Sequence, residues 1–126
     1  MRAFLFLTVV LLLVFSAQSQ NNIYSSDSLE VKELLFFSNN GCGKCETSEQ
    51  YFIDHQMPYT KLAIRENRPL MYEYIYKKTN GEKTGVGYPV IVYGDSIYFS
   101  IKNLNATLEE VKKMMTKEGL IEPQNK

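Results

Sequence analysis

Cys42 and Cys45 are the only cysteines in the chain, set in Asn40-Gly41-Cys42-Gly43-Lys44-Cys45. The apolar run Leu34 to Phe37 precedes them, and a segment with helical spacing follows. A strand, a short loop and a C-x-x-C at a helix start present one reactive sulfur and hold a second in reserve. Backbone N–H groups and the helix dipole at that end favour the thiolate of the first cysteine, Cys42. Cys45, about one turn further on, is placed to attack a mixed disulfide formed by Cys42. The chemistry implied is thiol–disulfide exchange.

Two other readings compete. A zinc half-site wants about four ligands, commonly a second C-x-x-C or a pair of histidines. This chain has no third cysteine, and His55 is its only histidine. A purely structural disulfide would close so short a loop that it removes little entropy from the unfolded chain. Lys44, between the cysteines, carries an ammonium that would favour the Cys42 thiolate. An exposed helix-terminal lysine with no partner fits the same position equally well. His55 falls at the far end of the same helix and reads as an ordinary, partly exposed histidine.

The elements that must position this pair are legible in outline. Val31 to Phe37 ends in a continuous apolar run, as a central strand buried on both faces should. From Cys42 to about Gln56, the positions Cys45, Ser48 and Phe52 share one helical face. Pro58 stops that helix, and Tyr59 to Ile64 reads as a second strand. Pro69 suits the start of a second helix, which ends at Lys77-Lys78 with Gly81 as its left-handed cap. Tyr88 to Tyr93, the turn Gly94-Asp95, and the alternation Ile97, Phe99, Ile101 read as a hairpin. Thr107-x-x-Glu110 matches a capping box opening a helix with an apolar face of Leu108, Val111 and Met115. The same Thr107 completes a glycosylation sequon with Asn105, but the cap explains it better. Three Tyr residues of the second helix, Tyr72, Tyr74 and Tyr76, are expected to cover the helix–sheet seam. The order is β-α-β-α-β-β-α, an α/β domain whose first two strands pair in parallel by the crossover rule.

The chain's N-terminus reads as a targeting segment. Arg2 precedes an apolar stretch from Phe4 to Phe15, and Ala17-Gln18-Ser19 places small residues where a signal peptidase cuts. The stretch is too short for a comfortable membrane span, and an uncleaved anchor is the competing reading. The expected organisation is a signal peptide over 1–19, a polar lead-in over 20–30, one domain over 31–119 and a tail over 120–126. The full chain carries 14 Lys+Arg against 14 Asp+Glu. Losing Arg2 shifts that balance by one charge, so nothing electrostatic points to nucleic acid or to a charged membrane surface. The expected location is outside the cytosol, periplasmic or secreted, with no stable membrane insertion after cleavage.

Together these residues resemble the thioredoxin superfamily, and its glutaredoxin branch most closely. The resemblance spans about Val31 to Glu118. It rests on the strand–C-x-x-C–helix opening, the Met57-Pro58-Tyr59 link, the helix after Pro69, and Tyr88-Pro89 before the hairpin. It implies a thioredoxin-like fold with a mixed four-stranded sheet flanked by helices. It also implies that Pro89 is cis and lies beside the cysteines, that the backbone of Tyr88 pairs with an extended substrate segment, that Cys42 is the nucleophile and that Cys45 resolves. Glutaredoxins usually carry Pro-Tyr between the cysteines and a lysine shortly before them. They also place a glycine pair and an acidic cap after the hairpin. Gly43-Lys44, Ser38-Asn39-Asn40-Gly41 and Ser100-Ile101-Lys102-Asn103 depart from those patterns, which puts glutathione binding in doubt. The redox-active pair itself is then the only cofactor expected, and no metal.

The resulting expectation is an exported thiol–disulfide oxidoreductase acting on protein disulfides or dithiols, with an unidentified redox partner and a direction the sequence leaves open. Two alternatives share the fold. One is a soft-metal module in which Cys42, Cys45 and a methionine such as Met57 or Met71 capture Cu(I). The other is a substrate-protein binding module without significant turnover.

Overall fold

The computed structural model describes residues 32–124. The expected signal peptide and polar lead-in lie outside them. The element order is β1 (Leu34–Ser38), α1 (Gly43–Asp54), β2 (Thr60–Ala63), α2 (Ile64–Thr79), β3 (Val90–Tyr93), β4 (Ser96–Tyr98) and α3 (Leu104–Lys117). The four strands form one mixed sheet in the order β2-β1-β3-β4. β1 pairs in parallel with β2 and antiparallel with β3, and β3 pairs antiparallel with β4.

Alternation along the central strands sorts the apolar residues into two layers. Leu34 and Phe36 of β1, with Ile91 and Tyr93 of β3, pack on the α1 and α3 side against Phe52, Leu108, Val111 and Met115. Phe37 of β1, with Val90 and Val92 of β3, packs on the other side against Ile64, Met71 and Ile75 of α2. Burial on both faces explains why β1 and β3 read as unbroken apolar runs. Phe36 sits at the middle of the first layer, edge-to-face with Phe52 at 5.3 Å and with Tyr59 at 6.1 Å. Among the described residues no helix is long and apolar enough to cross a membrane.

The structure moves several expected boundaries. α2 opens at Ile64, five residues before Pro69, because the chain turns into helix directly from β2. It then kinks at Asn67, which has φ −114° and ψ 20°. A proline lacks the N–H for a helical bond and crowds the carbonyl four residues back, so Pro69 marks where the straight part of α2 begins. The Asn67 side chain covers the break by donating to the Ala63 carbonyl at 2.9 Å. The left-handed C-cap of α2 is Asn80, with Gly81 following in the same region of backbone space. Tyr72 and Tyr74 do pack against the α2-side core, whereas Tyr76 is among its exposed residues.

The third helix corrects the sequence more sharply. Asn103, not Thr107, caps α3, its Oδ1 accepting the Ala106 N–H at 3.1 Å. Thr107 lies a turn inside and its hydroxyl donates back to the Asn103 carbonyl. Asn ranks with Ser and above Thr as a cap, which decides between the two candidates. The face Leu108, Val111 and Met115 is buried as the spacing predicts. In the hairpin, Ile97 and Phe99 pack on the α2 side but Ile101 packs with the opposite layer. Ser100 between them has φ +50°, and this left-handed step turns Ile101 across to the α1 and α3 side.

Candidate redox site

The Cys42–Cys45 pair sits where β1 hands over to α1. Gly41, at φ +70°, turns the chain sharply after β1, a conformation that a side chain resists. Cys42 is the N-cap of α1 in extended backbone, and its carbonyl accepts the first helical bond from Glu46 N–H. Its Sγ does what a cap side chain does, accepting the Cys45 N–H at 3.2 Å. The helix therefore directs an N–H and its positive end at this sulfur, which stabilises an anion there. The two cysteines are paired as a disulfide with their Cα atoms 5.1 Å apart.

The two sulfur-bearing residues differ in access. Cys45 is only 1% exposed and belongs to the α1 and α3 core, on the same buried helical face as Ser48 and Phe52. Cys42 is half-buried at the margin of that core. An external group can therefore reach Cys42, while Cys45 is reached from Cys42.

Tyr88-Pro89 comes to the same end of the sheet. The pairing of Phe37 with Val90 sets Pro89 next to the end of β1, from which the chain runs into the cysteine turn. The Tyr88-Pro89 peptide bond is cis, Pro89 is buried, and Tyr88 is half-buried between the two apolar layers. Lys44 has a partner: its ammonium donates to the Ile101 carbonyl at 2.7 Å. Next to Ile101, Ser100 and Gly87 exchange two hydrogen bonds, Ser100 N–H to the Gly87 carbonyl at 2.9 Å and Gly87 N–H to Ser100 Oγ at 2.8 Å. Sequence reasoning missed Ser100, Ile101 and Gly87 as neighbours of the site. Only the glycine directly before Tyr88-Pro89 could have hinted at a close approach.

The remaining candidates lie elsewhere. His55 caps the C-terminal end of α1, roughly 20 Å along the helix from Cys42, and stacks on Tyr51 at 4.0 Å. Met57 and Met71 are core residues in opposite layers of the sheet. Among the described residues, no group of three or more His, Cys, Asp and Glu is arranged to hold a metal ion. A groove of about 520 Å³ lies between the end of α2 and the hairpin, lined by Tyr74, Lys78, Asp95, Ile97 and Tyr98, and does not include the cysteines. The site is thus a half-exposed sulfur on a shoulder of the fold. A C-x-x-C pair at disulfide distance on a mixed α/β fold fits a redox-type function, and the architecture is compatible with a thioredoxin-like fold. No known protein family, curated protein or solved structure matches the chain.

Proposed function

We propose that this protein is an exported thiol–disulfide oxidoreductase of thioredoxin-like fold, related in character to glutaredoxins, acting on protein substrates in the periplasm or outside the cell. The observation that carries the reading is the asymmetry of the pair. Cys42 is half-exposed with its sulfur on the helix N-terminus, and Cys45 is buried one turn behind it.

In the reducing direction the Cys42 thiolate attacks one sulfur of a substrate disulfide. That S–S bond breaks, the departing substrate thiolate takes a proton from water, and a mixed disulfide joins Cys42 to the substrate. Cys45 then gives up its proton and attacks Cys42 Sγ. The second substrate sulfur leaves as a thiol, and the Cys42–Cys45 disulfide forms. Two electrons have passed from the pair to the substrate, and an external dithiol must restore them. In the oxidising direction the disulfide accepts two electrons from a substrate dithiol by the same steps reversed. The potential of the pair against its partner selects the direction. Tyr88 would offer its backbone to an extended substrate segment beside Pro89. The absent glutaredoxin signatures favour protein disulfides over glutathione.

The test supplies the purified protein with a dithiol and follows reduction of the interchain disulfides of insulin above the uncatalysed rate. Wild type should accelerate it, Cys42→Ser should abolish the acceleration, and Cys45→Ser should accumulate a mixed disulfide that reductant releases. Full activity in Cys42→Ser would refute the reading.

A further inference from the structure

The first turn of α1 carries glycine at position 43, the least restrained residue for a segment that must hold a reactive sulfur. Nothing lies within 4 Å of where a Cβ on Gly43 would sit. The restraint comes from the next residue. Lys44 crosses to the Ile101 carbonyl, 57 residues away in sequence. The neighbouring Ser100, with φ +50°, faces Gly87 and completes the two-bond clasp with it. A side chain at 87 would crowd the clasp, since an added Cβ would lie 3.1 Å from the Ser100 Cα. The residue after Gly87 is Tyr88. Three segments distant in sequence are therefore joined in series: the cysteine turn to Ile101, Ile101 to Ser100, and Ser100 to the residue before Tyr88-Pro89.

We propose that Lys44 and Ser100 are positioning residues that fix the distance and angle between the Cys42 sulfur and the Tyr88 docking edge, with the Ser100–Ile101 segment as the strut between them. This rests on the oxidoreductase reading and sharpens it toward substrate class. A substrate held along a backbone edge must present its disulfide at a set place, so the brace serves extended protein segments. A small disulfide diffuses to the half-exposed sulfur without docking and does not need it. The Lys44 ammonium acts through a main-chain acceptor, and its effect is one of alignment.

Lys44→Met, Ser100→Ala and the double variant separate this from a charge effect on the sulfur. Both side chains lie in exposed positions, and Lys44→Arg retains a donor for the Ile101 carbonyl. With a protein disulfide, KM should rise roughly five- to tenfold in Lys44→Met and in Ser100→Ala while kcat changes little. With 2-hydroxyethyl disulfide all rates should stay within about twofold of wild type. The pH midpoint of Cys42 alkylation should not move in Lys44→Met, and Lys44→Arg should restore KM. Because the two links act in series, the double variant should be no worse than either single one. Equal losses on protein and small disulfides, a displaced alkylation midpoint, wild-type KM in either single variant, or additive losses in the double would each overturn the brace. Those outcomes leave the underlying reading standing as long as Cys42→Ser is inactive. An active Cys42→Ser would remove that reading however the brace variants behave.

Discussion

The two ends of the sheet are held together by different chemistry. At the cysteine end the ties run to the main chain: Lys44 to the Ile101 carbonyl, Ser100 to both polar groups of Gly87, Asn103 to the Ala106 N–H. Over the middle and opposite end of the sheet, tyrosine–carboxylate–lysine triads are added, beside one main-chain tie from Lys78 to the Ile97 carbonyl. Tyr93 and Lys32 both donate to Glu118, Tyr59 and Lys61 both donate to Glu49, and Tyr51 and Lys112 both donate to Glu109. Lys32 and Lys112 also lie over the rings of Tyr93 and Tyr51, at 5.9 and 5.6 Å. Main-chain acceptors cannot titrate, whereas carboxylates and phenols do. Among the ties named at the cysteine end, the one ionisable group is thus the Lys44 ammonium, and none of the acceptors titrates. The end that ties α1, α3 and the strands into one body carries the ionisable groups.

Phe36 lies beneath both ends, fully buried and edge-to-face with two rings. Phe36→Ala should cost about 3–5 kcal/mol, from lost transfer energy plus the cavity left behind. Chemical denaturation at neutral pH measures it. Because the residue belongs to neither set of ties, the loss should be the same at pH 5 and pH 7, those two values being only about 2 units apart within the flat part of the stability profile. A loss well under 1.5 kcal/mol, about what a tolerated core swap costs, would mean that the layer closes over the gap.

Sequence range, and not the end of the sheet, decides what is legible in the sequence. Cys42, Cys45 and the helical face of Cys45, Ser48 and Phe52 follow from local spacing, as do the parallel first pair of strands and the hairpin turn at Gly94-Asp95. Each depends on neighbours within a few turns or on a rule of connection. The brace does not. Lys44 reads equally as a charge favouring the Cys42 thiolate and as a lysine without a partner until the fold brings Ile101 to it, and Ser100 reads only as part of the segment after the hairpin. The triads are equally silent, since Tyr93 and Glu118 are 25 residues apart and Lys32 and Glu118 are 86 apart. The misplaced start of α2 has a local cause, because Pro69 is a strong start signal and the five residues before it carry no competing one. The misread cap of α3 came from preferring a two-residue motif over Asn103 alone. The alternation Ile97, Phe99, Ile101 implies a shared face, and nothing in that spacing announces the left-handed step at Ser100.

Asn103 offers a milder perturbation confined to the cysteine end. Asn103→Ala removes the cap acceptor and should cost about 1 kcal/mol, while Asn103→Asp should hold or improve stability by adding negative charge at the helix N-terminus. Local hydrogen exchange should rise in the first turn of α3 and not at Tyr93 or Glu118. Equal stability of Ala and Asp variants would show that Thr107 can take over the cap.

The smallest effects per residue belong to the triads, since Glu109 and Glu118 face water and exposed pairs contribute little each. Their signature is the direction of the pH response. Hydrogen bonds from Lys32 and then Tyr93 hold Glu118 below the ordinary carboxylate range. Tyr51 and then Lys112 do so for Glu109, and Lys61 chiefly for Glu49. A carboxylate whose pKa is depressed on folding stabilises the fold above its unfolded value, near 4.3, and that contribution fades as pH falls through the lowered folded value. The phenols behave oppositely. Burial, then the bonded carboxylate, raises Tyr93, Tyr51 and Tyr59 above their ordinary value. Their contribution is complete below about pH 10 and is lost as pH rises through the raised folded values. Stability should therefore be flat between the two limbs and fall on both sides. Glu118→Gln should flatten part of the acid limb, and Tyr93→Phe part of the alkaline one. Urea midpoints collected across the range report both, beside the rate of Cys42 alkylation at neutral pH. That rate should be unchanged in both variants, because the groups removed lie at the end of the sheet away from the sulfur. An alkylation rate that followed the triads would erase the division between the ends, and an acid limb unchanged by Glu118→Gln would remove that carboxylate from the set that stabilises the fold.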